Sequence, residues 1–150
     1  MPIQKLGYNN PSSPGNIGIP NDQGEFTYYP DYSSALIAAK NGDTIVQFAN
    51  IVEYNDVTLI LKNGVNINLN GFTYEAKSTV GYFYASSAVT CRIFNGTIKS
   101  TVGVGVRVNN ASATVTLNCI VNANIQVDTG TIIGGIVTGT ATLTTGTRSE

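Results

Sequence analysis

Apolar residues at every second position, in a phrase that returns at nearly constant spacing, confine this chain to few folds. In residues 64–71, Val65, Ile67 and Leu69 alternate with three asparagines. The phrase returns in residues 88–96 as Val89, Cys91 and Ile93, and in residues 114–119 as Val115, Leu117 and Cys119. Such alternation marks strands with one buried face. Val65, Val89 and Val115 are 24 and 26 residues apart, within the range of periods at which structural repeats stack. The expectation is a parallel β-helix of about four to five coils over residues 43–150. Its stacked core would be Val65, Ile67, Leu69, Val89, Cys91, Ile93, Val115, Leu117 and Cys119, with equivalent residues about 4.8 Å apart. Asn-Gly at 70–71 and again at 95–96 would mark one corner of successive coils, where a left-handed backbone is tolerated.

Composition agrees with an all-β class. Val and Ile number 29 against 7 Leu, and β-branched side chains favour strands. An antiparallel sandwich or jelly roll has similar short alternating strands, but does not require the aligned repeat. A net charge of −1 with 11% charged residues argues against nucleic-acid or acidic-membrane partners. Solubility rests on neutral groups, chiefly 17 Asn and 18 Thr. No stretch reaches the roughly 18 to 20 apolar residues of a membrane span. Residues 1–7 lack the apolar core of a secretory signal, which predicts delivery outside the general export route.

Three regions follow. Residues 1–30 hold all the prolines and the turn clusters 9–16 and 19–24, so they read either as an extended N-terminal arm that gains order by docking on a partner or as a disordered tail. Residues 31–42 read as a capping helix. Asp31 or Ser33 starts it, Leu36, Ile37 and the 39–40 pair give it an apolar side, and Gly42 ends it. Residues 43–150 carry the strands. No comparable cap follows residue 143, which predicts that this end rests on another molecule or belongs to a truncated protein.

Residues 32–45 (YSSALIAAKNGDTI) followed by 61–71 (LKNGVNINLNG) resemble the opening of pectin-lyase-like right-handed β-helix proteins. In that family a capping helix runs into a "GDTI" strand and a lysine–asparagine–glycine–valine strand follows. The resemblance implies a right-handed coil. It is open about activity, because the family includes polysaccharide lyases, hydrolases, phage tailspikes and inactive virion or surface proteins.

The residues argue against most chemistries. A calcium-dependent lyase needs clustered carboxylates and a basic residue. The only grouping is Glu53, Asp56 and Glu75, with Arg92 or Lys99 as a base; solvated acids near turns account for it as well. Glu75 is the sole carboxylate between Asp56 and Asp128, too few for a paired-acid hydrolase. With no histidine in the chain, Ser–His and Cys–His nucleophiles are excluded. Two thiols alone do not make a zinc site; Cys91 and Cys119 read as buried free thiols. Gly103, Val104, Gly105 and Val106 lack the third glycine and helix of a phosphate loop, and read as a strand closely approached by another surface. The sequons at Asn95 and Asn110 carry weight only in a secreted protein.

The better clue is aromatic. Tyr82 and Tyr84 share a face opposite Phe83, and outward tyrosines stack on sugars or anchor interfaces. Candidate surface residues are Tyr74, Tyr82, Tyr84, Val104 and Val106, with Val102 beside them. The expected function is a non-catalytic structural or attachment protein without cofactors or metals. A virion component fits best, such as a phage head fibre, decoration protein or tailspike-like module. By resemblance to phage spikes it would self-associate, as a trimer, and surface polysaccharide is a further partner. The alternatives are a polysaccharide-binding or lyase module of a larger protein, and a fragment of a bacterial surface adhesin.

Overall fold

The structure, a computed structural model, describes residues 15–150. Its strands are β1 (Ile17–Pro20), β2 (Phe26–Tyr29), β3 (Thr44–Gln47), β4 (Ile51–Glu53), β5 (Leu59–Ile60), β6 (Asn66–Asn68), β7 (Thr73–Ala76), β8 (Phe83–Ala85), β9 (Thr90–Val137), β10 (Ala141–Leu143) and β11 (Thr147–Ser149). The one helix among the described residues, α1, spans Tyr32–Ala38. With 60% of the described residues in strands, the class is all-β.

The expected right-handed parallel β-helix with a capping helix is overturned. The strands form one open, mixed sheet of 11 strands with one short helix. Its main path runs β2-β1-β3-β6-β9-β7-β4, with β8, β10 and β11 also on β9 and β5 on β8. The mixture has a local origin. β1 pairs antiparallel with both β2 and β3, whereas the later ladders are parallel. That majority of parallel ladders also excludes the antiparallel sandwich. Nor is the spacing between neighbours constant. Cross-strand hydrogen bonds join residues 26 apart at Asn66–Arg92 but only 16 apart at Thr131–Thr147.

The register differs from the aligned repeat by two residues. Ile67 lies opposite Ile93, not Cys91, and opposite Ile45 on its other side. All three isoleucines are fully buried. The other residues of the expected stack (Val65, Leu69, Val89, Cys91, Val115, Leu117 and Cys119) are buried too. Asn70 (φ 56°) and Asn95 (φ 63°) both take the left-handed backbone. Gly71 N–H donates to the Asn95 carbonyl at 2.7 Å, so these corners sit side by side. The β9 run of 48 residues would reach about 160 Å if straight. It pairs in turn with β6, β7, β8, β10 and β11, so it must bend. Asn95, Gly130, Gly134 and Gly135, all at positive φ, lie along it.

The N-terminal region also departs from an extended arm. Residues 1–14 lie outside the described residues, but 17–29 form a hairpin on β3. Asn21 closes its turn, with its Oδ1 accepting from the backbone N–H of Gln23 and Glu25. Asp31 caps α1, accepting from the Ser34 N–H at 2.8 Å. The buried side of the helix is Tyr32, Ala35 and Leu36, while Ile37, expected on the apolar side, is 80% exposed. Gln47 is completely buried and fully bonded. Its Oε1 accepts from the Tyr32 hydroxyl at 2.6 Å, and its Nε2 donates to the carbonyls of Ala49 and Thr73.

Candidate functional site

Alternation on β8 buries Phe83 and Ala85 and leaves Tyr82 and Tyr84 half-exposed on the other side. Parallel pairing sets Ile60 beside Tyr84 on one flank and Arg107 beside it on the other. The rings of Tyr82 and Tyr84 meet edge to face, with centroids 5.5 Å apart, a favoured aromatic geometry. The Arg107 guanidinium lies 5.3 Å from the Tyr84 ring centre and 5.8 Å from that of Tyr82, within cation–π range.

Arg107 is held by more than the rings. Its Nε donates to Asp128 Oδ2 at 2.7 Å and its Nη1 to the Tyr82 hydroxyl at 2.9 Å. Gln126 Nε2 donates to the other carboxylate oxygen of Asp128 at 2.7 Å. Gln126 and Asp128 flank the fully buried Val127, so alternation brings both to the arginine. Hydrogen bonds to Asp128 and then Tyr82 raise the Arg107 pKa further above its ordinary value. Partial burial opposes ionisation of Asp128, yet the bonds from Gln126 and Arg107 outweigh it and hold the carboxyl below its usual range. Both groups therefore stay ionised near neutral pH, and their charges cancel. The result is a platform with two aromatic edges, a fixed fork of N–H donors and a fixed acceptor, and no net charge. Ile60, 49% exposed, extends it on one side, and Thr142 stands opposite Gln126 on the other. Ile60, Tyr84 and Arg107 thus stand in register on three neighbouring passages, and Asp128 joins them to the Gln126–Thr142 pair.

The other candidates fare differently. Tyr74 is 2% exposed and Val106 fully buried, so neither is a surface contact. Tyr74 is covered by Tyr32, whose ring meets it edge to face at 5.3 Å. Val106 follows Gly105, where an added Cβ would stand 2.9 Å from the Ala123 methyl and 3.0 Å from Ile98. That close approach of a neighbouring layer buries both residues. Val104 is half-buried and Val102 exposed. The acidic trio is dispersed. Glu75 pairs with Lys77 at 2.8 Å, which lowers its pKa, and Asp56 accepts from the Ser78 hydroxyl at 2.5 Å. Glu53 stands opposite Ala76 rather than Glu75, so it shares the face opposite to that of Glu75. Arg92 lies over the Phe94 ring at 4.5 Å. Both cysteines are free and buried, and burial pushes their thiols up to about 12.

Sequence reasoning missed Arg107, Gln126 and Asp128. A signal was present: Arg107 follows Tyr82 by 25 residues, the same interval as the repeat.

Fold and site together define an all-β protein that carries an aromatic and arginine platform on an open sheet. No family model, curated protein or solved structure matches the chain, and nothing in these comparisons identifies a pectin-lyase-like protein.

Proposed function

We propose that this protein is a non-catalytic attachment module whose Tyr82–Tyr84–Arg107–Gln126–Asp128 face binds a neutral polysaccharide. The observation that carries the reading is the closed hydrogen-bonded network around Arg107. It presents rigid rings for the apolar faces of sugar rings, with donors and acceptors beside them for hydroxyls. Because Arg107 neutralises Asp128, the surface has no charge preference that would select an acidic polymer. The same pairing speaks against acid–base work, since neither partner is poised to exchange a proton near pH 7. The virion setting expected from the sequence rested on a β-helix stub, an absent export signal and a docking arm, and polysaccharide binding by this face requires none of them.

Affinity electrophoresis through gels cast with neutral polysaccharides tests this reading. Wild-type protein is expected to be retarded in at least one gel, and Tyr84→Ala to run freely there while melting at a similar temperature. Equal retardation of the variant, or no retardation in any gel, counts against it.

A second reading, self-association, is favoured by one observation. Ile136, Leu143 and Ile133 are 68%, 47% and 39% exposed at the ends of β9 and β10. Light scattering that gives a monomer at high concentration would remove it.

A further inference from the structure

A second site lies away from the platform. A cavity of about 430 Å³ opens between the start of α1, β4 and β7. Ile51, Val57 and Leu59 supply apolar wall, and Asp31, Glu53 and Tyr74 supply the polar groups. No lysine or arginine lines it, and among the described residues neither carboxylate has an ion-pair partner.

Each carboxylate is half used. Asp31 accepts with Oδ1 from Ser34, and Glu53 accepts with Oε2 from Asn55. Oδ2 of Asp31 and Oε1 of Glu53 have no hydrogen-bond partner among the described residues. The decisive group is Tyr74. It is 2% exposed, it lines the cavity, and its hydroxyl has no hydrogen-bond partner among the described residues. Among the described residues the one sealed, unpaired side-chain polar atom is Arg148 Nε, so the Tyr74 oxygen is open to the cavity while its ring is covered. Its neighbour Tyr32, by contrast, spends its hydroxyl on Gln47. Burial and then the charges of Glu53 and Asp31 push the Tyr74 pKa up, so both carboxylates act on that oxygen and it stays protonated.

We propose that this cavity binds a primary alkylammonium group. The ammonium has three donors and a positive charge, which match one free oxygen on each carboxylate and the tyrosine oxygen. Its alkyl stem matches the apolar wall. A divalent metal ion is a poorer match, because it takes six or more oxygens and the described residues hold no cluster of three metal-ligating side chains. The alkylammonium comes either from a free small amine or from a lysine side chain of another protein, and the test separates the two.

The experiment is isothermal titration calorimetry with n-pentylamine, with Nα-acetyl-lysine amide and with n-pentanol. Binding of either amine, with none of the uncharged alcohol, is the expected result. Tighter binding of pentylamine assigns a free amine, and tighter binding of the lysine derivative assigns a displayed lysine. Glu53→Gln, which keeps an acceptor for Asn55, should weaken amine binding at least about tenfold by removing a partly buried charge. Asp31→Asn keeps a good helix cap and should also weaken it, so the conclusion does not hang on one variant. Circular dichroism melts confirm that both variants fold. The proposal is overturned if neither amine binds, if pentanol binds as well as pentylamine, if both folded variants bind like wild type, or if calcium displaces the amine.

Discussion

Replacing Ile67 by alanine tests the packing and the register together. Ile67 is fully buried between Ile45 and Ile93, which are themselves fully buried. The change removes three carbon groups, worth about 2.4 kcal/mol at roughly 0.8 kcal/mol each. A strand neighbour on each side restricts collapse, so a cavity term adds to this and the expected loss is about 3–4 kcal/mol. Ile37→Ala is the control: 80% exposed on α1, it should change stability by less than about 0.5 kcal/mol. Urea unfolding at constant m-value gives both numbers. Register is read from a double-mutant cycle. Ile67→Val and Ile93→Val should couple by at least about 0.5 kcal/mol, whereas Ile67→Val and Cys91→Ala should be additive within about that margin. An Ile67→Ala loss below about 1 kcal/mol, or stronger coupling to Cys91 than to Ile93, would refute the reasoning.

Two further outcomes are expected. The Asp128 carboxyl is held below its ordinary value, so its contribution is complete above about pH 4 and fades as the pH falls through the lower folded-state value. The stability gap between wild type and Asp128→Asn should therefore be constant at neutral pH, at no more than about 1 kcal/mol, and close in acid; a gap that widens in acid would contradict the pairing. Thiols raised to about 12 by burial should resist an aromatic disulfide reagent at pH 8 and react fully in denaturant, and rapid labelling of the native protein would place a cysteine at the surface.

How far the fold could be read from the sequence depended on how local the deciding physics was. Asp31 as the start of the helix follows from one side chain and a nearby N–H. The burial of alternate residues from Val65 to Leu69 follows from strand pleat alone. Register did not follow, because a shift of two residues leaves every side chain on the same face. The alternating pattern therefore cannot tell Ile67 opposite Cys91 from Ile67 opposite Ile93. The hairpin of β1 and β2 was hidden for a different reason: its strands have four residues each among prolines that read as breakers. Tyr74 and Val106 were placed on the surface by alternation, and contacts remote in sequence, from Tyr32 and from the layer against Gly105, buried them. In the platform, Tyr82 and Tyr84 were legible as neighbours on one strand. Arg107 stands one repeat interval from Tyr82 and was within reach; Asp128 was not, because it meets Arg107 across 21 residues, an interval the repeat of about 25 does not supply.

The buried amide of Gln47 bears on how the alkylammonium cavity would bind. One side chain ties the Tyr32 hydroxyl, the Ala49 carbonyl and the Thr73 carbonyl together. Tyr32 lines that cavity and Thr73 immediately precedes Tyr74. If α1 swung outward, the amide would be stranded away from water, at a cost of about 1–3 kcal/mol. The back of the cavity is therefore preorganised. A guest would meet a wall already in place and would spend little of its binding energy on ordering the protein. Selectivity would then follow from fit to a fixed shape rather than from closure around whatever enters.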